Sequence, residues 1–352
     1  MTQLAPNQNA GVSALARFQV DLKEGLEGWV EADDERGLDP LWQQSRQFVR
    51  EYALRPAKRV RPTLLALGWM LARGHADWSA IPREVVQFGA GLELLHTFML
   101  IHDDVADRAQ SRRGGASLHK LLGSGRLGED LAVVSGDHLY ARAMEAMFAA
   151  PSPHAIAAAR YMLEVCRHTA AGQHLDLVLT MAPLAEVTLF RTLKVADLKT
   201  ARYGFVAPLA CGAMLGGADR GLLETLRRVG RHAGLAYQLR DDLIGLCGDD
   251  AVAGKAGGAD YLEGKRTFPV IAAWTRADSA GRAHLESLWT EPNPLLLEGA
   301  RAAVARWGGI ASTQRVVEVR TRAARKALEA LGTSPAVAFL DSMLSDFTRR
   351  AA

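Results

Sequence analysis

The stretch Leu95-His96-Thr97-Phe98-Met99-Leu100-Ile101-His102-Asp103-Asp104-Val105-Ala106-Asp107 is an apolar, helix-forming run that ends in three carboxylates, and Arg112, Arg113 and Gly114 follow almost at once. On a helix, Asp103 and Asp107 lie one turn apart and share a face. Two anions held that close repel unless a cation lies between them. Carboxylates at this spacing, with basic residues nearby, suit Mg²⁺ bridged to substrate phosphates. The apolar residues up to Ile101 imply a buried helix, from which Asp103 and Asp104 would emerge as costly unpaired charges. The plain alternative is a solvated helix end. His96, seven residues before Asp103, falls on the same face, where the competing reading is a satisfied core histidine.

A second run, Gln238-Leu239-Arg240-Asp241-Asp242, repeats the chemistry far along the chain. Gln238 and Asp241 are one turn apart, and Asp242 points about 100° round from Asp241. Gly245 stands where a third carboxylate would complete the first motif's spacing. The polar, Gly-rich segment that follows carries Gly254-Lys255, Asp260 and Gly264-Lys265-Arg266-Thr267. Such a segment can bring cations over a phosphate, or it is a wet surface loop. Upstream, Lys58-Arg59-Val60-Arg61-Pro62 places three cations before a helix, an entry that suits an anion. Two acidic helix ends with scattered basic residues describe a site for a diphosphate.

Composition bounds the rest. The chain has 352 residues, 49% hydrophobic and 23% charged, as in an ordinary soluble globular protein. Aromatics are only 7%, and Ala and Leu dominate, so helix formers outnumber strand formers. A formal charge of +3, with no basic run interleaved with aromatics, argues against nucleic acid. Cys166, Cys211 and Cys247 are too few and too widely spaced for a metal pattern or a disulfide framework. Met1 to Gly11 lacks a basic region followed by an apolar core, and no uninterrupted apolar stretch is long enough to span a bilayer. A cytoplasmic protein without a membrane span is expected.

Helical periodicity predicts helices over roughly Val12–Glu31, Pro40–Leu54, Arg61–Leu71, Pro82–Asp107, Glu129–Ala149, His154–Thr180, Ala185–Met214, Gly221–Cys247, Phe268–Thr275, Gly281–Trp289, Ile310–Ala330 and Pro335–Arg349. Alternating strands are absent, and no Pro- or Ser-rich linker divides the chain. The expectation is all-α: one domain over 1–352, residues 1–10 a flexible lead, with long helices around a central cavity lined by carboxylates.

Taken in order, these pieces resemble the trans-isoprenyl diphosphate synthase family, the head-to-tail prenyl chain-elongating enzymes. The resemblance runs from about Ala57 to Pro269 and also takes in Gly136-Asp137, Gly172-Gln173 with Asp176, and Lys199-Thr200. It implies an orthogonal bundle of the isoprenoid synthase type, usually homodimeric, that uses three Mg²⁺ ions. Asp103 and Asp107 would bind two of them, with Asp104 and Asp176 supporting. Asp241 would hold the third, with Asp242 and Gln238 nearby. Arg112, Lys199, Lys255 and Lys265 would grip the allylic diphosphate, and Lys58, Arg61, His96 and Arg113 the diphosphate of isopentenyl diphosphate. Thr200 and Gln238 would sit near the developing cation. Gly245 departs from the usual second motif, which implies weaker binding of the third metal and not a dead site.

The growing tail should run from the carboxylates towards the N-terminus of their helix. Phe98 and Met99 lie about 6–8 Å along the axis from Asp103, with Leu95 a turn further on. An aromatic five residues before the first motif looks like the geranylgeranyl (C20) makers, with farnesyl (C15) or longer products as alternatives. A class I terpene cyclase needs only one diphosphate and would leave Lys58, Arg61 and Arg113 without purpose. A non-catalytic regulatory subunit would typically lose aspartates that are all present here in the first motif.

Overall fold

Helix-forming side chains fill nearly every described segment, and the strands among the described residues amount to one two-residue pair. The computed structural model describes residues 6–31, 37–75, 77–248 and 258–349, with side chains from 14 to 346. In chain order the helices are α1 Pro6–Val30, α2 Pro40–Leu54, α3 Val60–Arg73, α4 Arg83–Ala106, α5 Leu118–Leu122, α6 Gly125–Phe148, α7 Ala155–Met181 and α8 Leu189–Val195. Then come α9 Ala207–Leu215, α10 Arg220–Cys247, α11 Ala259–Leu262, α12 Phe268–Arg276, α13 Ser279–Thr290, α14 Leu297–Arg306, α15 Gly309–Glu329 and α16 Pro335–Arg349. The strands β1 Ser111–Arg112 and β2 Gly115–Ala116 lie between α4 and α5, and a π-helix, Ala196–Val206, joins α8 to α9. The chain divides into two compact units, Met1–Arg160 with Pro208–Asp219, and Tyr161–Ala207 with Arg220–Ala352.

In the first unit, Asp39 caps α2 by accepting from the Leu41 N–H at 2.8 Å, with Pro40 at the first helical position. The centre of α3 is buried on every side from Pro62 to Met70, the mark of a core helix. The helices α4 and α6 run antiparallel: Gly91 of α4 meets Ala143 and Met147, while Phe98 and His102 meet Gly136 of α6. The helix α4 is also long and apolar enough, by length and composition, to cross a bilayer. Its apolar run is interrupted by Glu93, and length and composition alone are weak evidence of a span. In this structure 61% of its most apolar window is buried, as in the core helix of a soluble fold.

The second unit is organised around the π-helix. A π-helix is wider than an α-helix and is rare beyond a single turn, so its neighbours must yield space. Gly172 of α7 and Gly234 of α10 do so. A Cβ at Gly172 would lie 2.8 Å from the Lys199 backbone nitrogen, and one at Gly234 would lie 2.5 Å from the Ala201 Cα. Buried Asp197 fixes the segment electrostatically, accepting from Arg202 five residues on at 3.1 Å and from Arg231 of α10 at 2.7 Å. Elsewhere in the unit, Leu246, Tyr261, Ile271, Leu285, Trp289 and Val304 share one apolar cluster.

The single helix expected over Ala185–Met214 is in fact a 3-10 turn at Leu184–Glu186 followed by α8, the π-helix and α9. The apolar spacing of the sequence is continuous there, so the change of winding leaves no mark in it. The short α5, α11 and α14 and the hairpin were also not expected; each is too brief or too Gly-rich to show periodicity. Two glycine substitutions should separate packing from propensity. Gly234→Ala should destabilise by about 1–3 kcal/mol through overpacking. Gly28→Ala in α1, with nothing within 4 Å of its new methyl, should stabilise by about 0.5–1 kcal/mol. Thermal melts that move both variants the same way would contradict this account.

Candidate active site

Adjacent residues on a helix point about 100° apart, so Asp103 and Asp104 cannot both face the side that Asp107 faces. Asp104 turns inward and is fully buried, accepting from the Tyr52 hydroxyl at 2.7 Å and from Arg112 Nε at 2.7 Å and Nη2. Burial and the Asp104 charge push the Tyr52 phenol up, so it remains a donor. Burial opposes the charge of Arg112, but its hydrogen bonds to Asp104 hold it up overall. Asp103 stays partly exposed, 4.0 Å from Arg112 Nη2. Asp104 is thus the inward member of the pair. Its oxygens are committed to a phenol and a guanidinium, and it holds Arg112 behind the Asp103–Asp107 edge.

Past α4 the backbone turns sharply, with Arg108 at φ 52°. Arg113 at φ 51° and Gly114 at φ 78° occupy the centre of the β1–β2 hairpin, the positive-φ pair of a type I′ turn. Arg55, buried at the end of α2, donates to the Arg112 and Ala116 carbonyls at 2.8 Å each and pairs with Glu51 through its other edge. This clamp fixes where Arg112 and Arg113 point. Arg59, at φ 45°, and Arg113 converge on buried Glu93, Arg113 at 3.0 Å. His96 is half-buried among them, and burial together with Arg61, Arg113, Arg112 and Arg59 keeps its imidazole well below its ordinary pKa. Four guanidiniums around a neutral histidine, offset by the carboxylates of Glu93 and Asp104, make a basic cluster suited to an anion. Lys58 is exposed beside it in sequence.

Leu95 is fully buried, while the Phe98 ring lies 4.5 Å from His102 and 5.3 Å from Tyr140 of α6. Met99 sits one turn before Asp103 on the same helix face.

In the second unit, the π-helix presents Lys199 and Thr200. Lys199 Nζ pairs with Asp176 at 3.0 Å, and the Thr200 hydroxyl donates to Gln238 Oε1. Gln238 in turn donates to Asp242 at 2.8 Å. As in the first motif, the second aspartate is the buried one: Asp242 is enclosed and Asp241 is exposed. Burial, then Asp260, then Asp241 and Asp176 push the Asp242 carboxyl up to about 8 against the Gln238 hydrogen bond. Asp242 is thus the enclosed member of the pair and Asp241 the outer one. Lys265 is paired with Glu263 and lies 4.0 Å from Asp260. Lys255 lies outside the described residues.

Among the described residues no three His, Cys, Asp or Glu side chains converge as a ready-made cage. Octahedral Mg²⁺ needs none, since it is usually held by one or two carboxylates together with waters and substrate phosphates. Asp103 with Asp107, and Asp241, are donors of that kind. The crowding of Asp242 by Asp260, Asp241 and Asp176 is what a divalent cation would relieve, and both ends of the Gln173 amide are buried with no partner among the described residues. Sequence reasoning passed over Tyr52, Arg55 and Glu93. Glu93 did leave a signal, a lone carboxylate inside Gly91-Leu92-Glu93-Leu94-Leu95 that burial obliges to find a cation.

Asp242 also sets a pH dependence. Between 3.8 and about 8 the folded chain keeps a proton that the unfolded chain releases. Stability without metal should therefore fall as pH rises through that window, by up to about 1.4 kcal/mol per unit. Asp242→Asn should remove this component, so its thermal midpoint should drop less than the wild type's between pH 6 and 8. Parallel slopes would refute the assignment.

A model of the polyprenyl synthetase family matches residues 43–295. A short chain isoprenyl diphosphate synthase of Methanothermobacter thermautotrophicus is 31% identical over 291 residues, 82% of this chain and 85% of its own. A (2E,6E)-farnesyl diphosphate synthase of Mycobacterium tuberculosis is 36% identical over 225 residues, 64% of this chain but only 59% of its own length. Among solved structures, a geranylgeranyl pyrophosphate synthase of Corynebacterium glutamicum, complexed with isoprenyl diphosphate and magnesium, superposes with a TM-score of 0.86 at 26% identity, covering 95% of this chain and 99% of its own. The all-α fold agrees with these relatives, and the chain belongs to the polyprenyl synthetase family, the trans-isoprenyl diphosphate synthases.

Proposed function

We propose that this prenyltransferase joins isopentenyl diphosphate to an allylic diphosphate head to tail and stops at geranylgeranyl diphosphate, C20. The observation that carries the reading is the cluster of Arg59, Arg61, Arg112 and Arg113 around neutral His96. A cyclase that handles one diphosphate has no use for it. Lys58, Arg61, His96 and Arg113 hold the diphosphate of isopentenyl diphosphate, and His96, being neutral, can both donate and accept a proton in hydrogen bonding. Arg112, Lys199, Lys255 and Lys265 hold the allylic diphosphate.

Three Mg²⁺ ions, two on Asp103 and Asp107 and one on Asp241, would supply the positive charge that stabilises pyrophosphate as it leaves. Asp104 and Asp242 support their neighbours from behind. Cleavage of the allylic C–O bond leaves a carbocation. The Thr200 hydroxyl hydrogen is directed at Gln238, so its lone pairs remain to face that cation. The double bond of isopentenyl diphosphate attacks it, and a proton passes to the departing pyrophosphate. The apolar side chains of α4 keep out water that would trap the cation as an alcohol.

Phe98, wedged against Tyr140 and His102, is the floor that ends elongation, with Met99 and Leu95 lining the approach. We further propose a cytoplasmic homodimer. Leu127 and Val134, 64% and 61% exposed at equivalent positions two turns apart on α6, support the dimer; light scattering of the purified chain tests it.

Incubation with labelled isopentenyl diphosphate, an allylic primer and Mg²⁺ should yield C20 by chromatography, and chelation by EDTA should abolish the product. Phe98→Ala should lengthen the products by at least one C5 unit, and an unchanged distribution would reject Phe98 as the floor. Arrest at C15 would make the enzyme a farnesyl synthase. No turnover without a partner chain would favour the regulatory-subunit reading.

A further inference from the structure

We infer that the second unit binds a free phosphate or diphosphate ion in a cavity between α7, the π-helix and α10, built from residues that the prenyl transfer does not use. The cavity has a volume of about 180 Å³ and brings together His168 of α7, Arg202 of the π-helix, and Arg227 and Arg231 of α10. A water takes up about 30 Å³ of the liquid, so the space holds several waters or one small hydrated ion. Glu164 is the acid among the lining residues, and it is exposed.

Three guanidiniums brought together need negative charge, and the protein supplies only part of it. Buried Asp197 accepts from Arg202 Nε at 3.1 Å and from Arg231 through Nε at 2.7 Å and Nη2 at 3.3 Å. Arg202 turns its Nη1 to His168 Nδ1, 3.3 Å away. Arg227 is treated differently. Its guanidinium lies over the Tyr161 ring, 5.0 Å from the centroid, and its Nε is buried with no hydrogen-bond partner among the described residues. The ring covers one face of the guanidinium and leaves the edges, where the donors are. A buried donor left unmatched is costly, and an anion in the cavity would satisfy it. The excess of positive charge extends past the cavity: burial, then Arg320, Arg231 and Arg228, hold His232 below its ordinary pKa.

The class of ligand follows from the directions of approach. Arg227 and Arg231 are one turn apart on α10, while Arg202 and His168 come from two other helices. A tetrahedral phosphate presents oxygens to all of them, whereas a carboxylate offers two in one plane. The lining aliphatics are Val165 and Val206, too little to cover a prenyl tail. The ligand is therefore the free ion and not the head of a prenyl diphosphate.

The test is calorimetric titration of the full chain with inorganic pyrophosphate in EDTA, without substrate, so that it stands apart from the functional reading. The cluster around His96 can take the same ion, so Arg227→Gln and Arg113→Gln are titrated beside the wild type. Binding in the cavity should weaken at least about 10-fold in Arg227→Gln, as loss of a charged donor does, and persist in Arg113→Gln. Arg227→Gln should still elongate at the wild-type rate, which shows that it folds. Glu164→Gln, an exposed change, should tighten binding about 1.5- to 5-fold. No uptake by the wild type, uptake lost in Arg113→Gln but unchanged in Arg227→Gln, or uptake indifferent to both Arg227→Gln and Glu164→Gln overturns the site. Geranyl diphosphate bound more tightly than pyrophosphate, with Arg227 required for the difference, overturns the assignment of a free ion.

Discussion

Two neighbouring carboxylates on a helix cannot both be left as solvent-poor anions, and much of this protein's local design answers that constraint. At each acidic motif the second aspartate is withdrawn and neutralised by a different means. Asp104 is matched by a full positive charge and a phenol from α2. Among the described residues Asp242 accepts from the Gln238 amide, while burial and the nearby carboxylates push its carboxyl up to about 8. The first aspartate of each pair is thereby left outermost. The asymmetry makes the two motifs chemically unequal: one is a settled ion pair, while the other sheds its charge by holding a proton.

The positively charged groups are arranged with the same economy. Arg55 donates to backbone carbonyls and Glu51 and lies over the Tyr52 ring, which makes it a brace for the hairpin. Because that brace holds the β1–β2 turn, Arg112 and Arg113 diverge to separate acids, Asp104 and Glu93. In the second unit the π-helix does the equivalent work for Lys199 and Thr200. Its wider winding sets these two residues towards α7 and α10 respectively, as their bonds to Asp176 and Gln238 show.

How much of this was legible in the sequence depended on the kind of signal. Long amphipathic runs announced themselves: the bounds of Pro40–Leu54 and Pro335–Arg349 are those the periodicity gives, and the ends of α4 fall within a residue. The acidic and basic motifs were visible as residue types in order. Which member of each aspartate pair is buried was not, because it depends on side chains such as Tyr52 and Asp260 arriving from elsewhere in the fold. The π-helix was hidden because its apolar spacing passes for an ordinary helix, although Gly172 and Gly234 mark the neighbours that make room for it.

The left-handed backbone at Arg59, Arg108 and Arg113 has a wider consequence. An L-residue there stores about 1 kcal/mol or more that glycine would release, yet at Arg59 and Arg113 glycine would delete the guanidinium that meets Glu93. Selection for heat tolerance therefore has little freedom around this pocket, and sequence drift towards a sturdier protein should accumulate in the outer helices and leave the arginine ring strained.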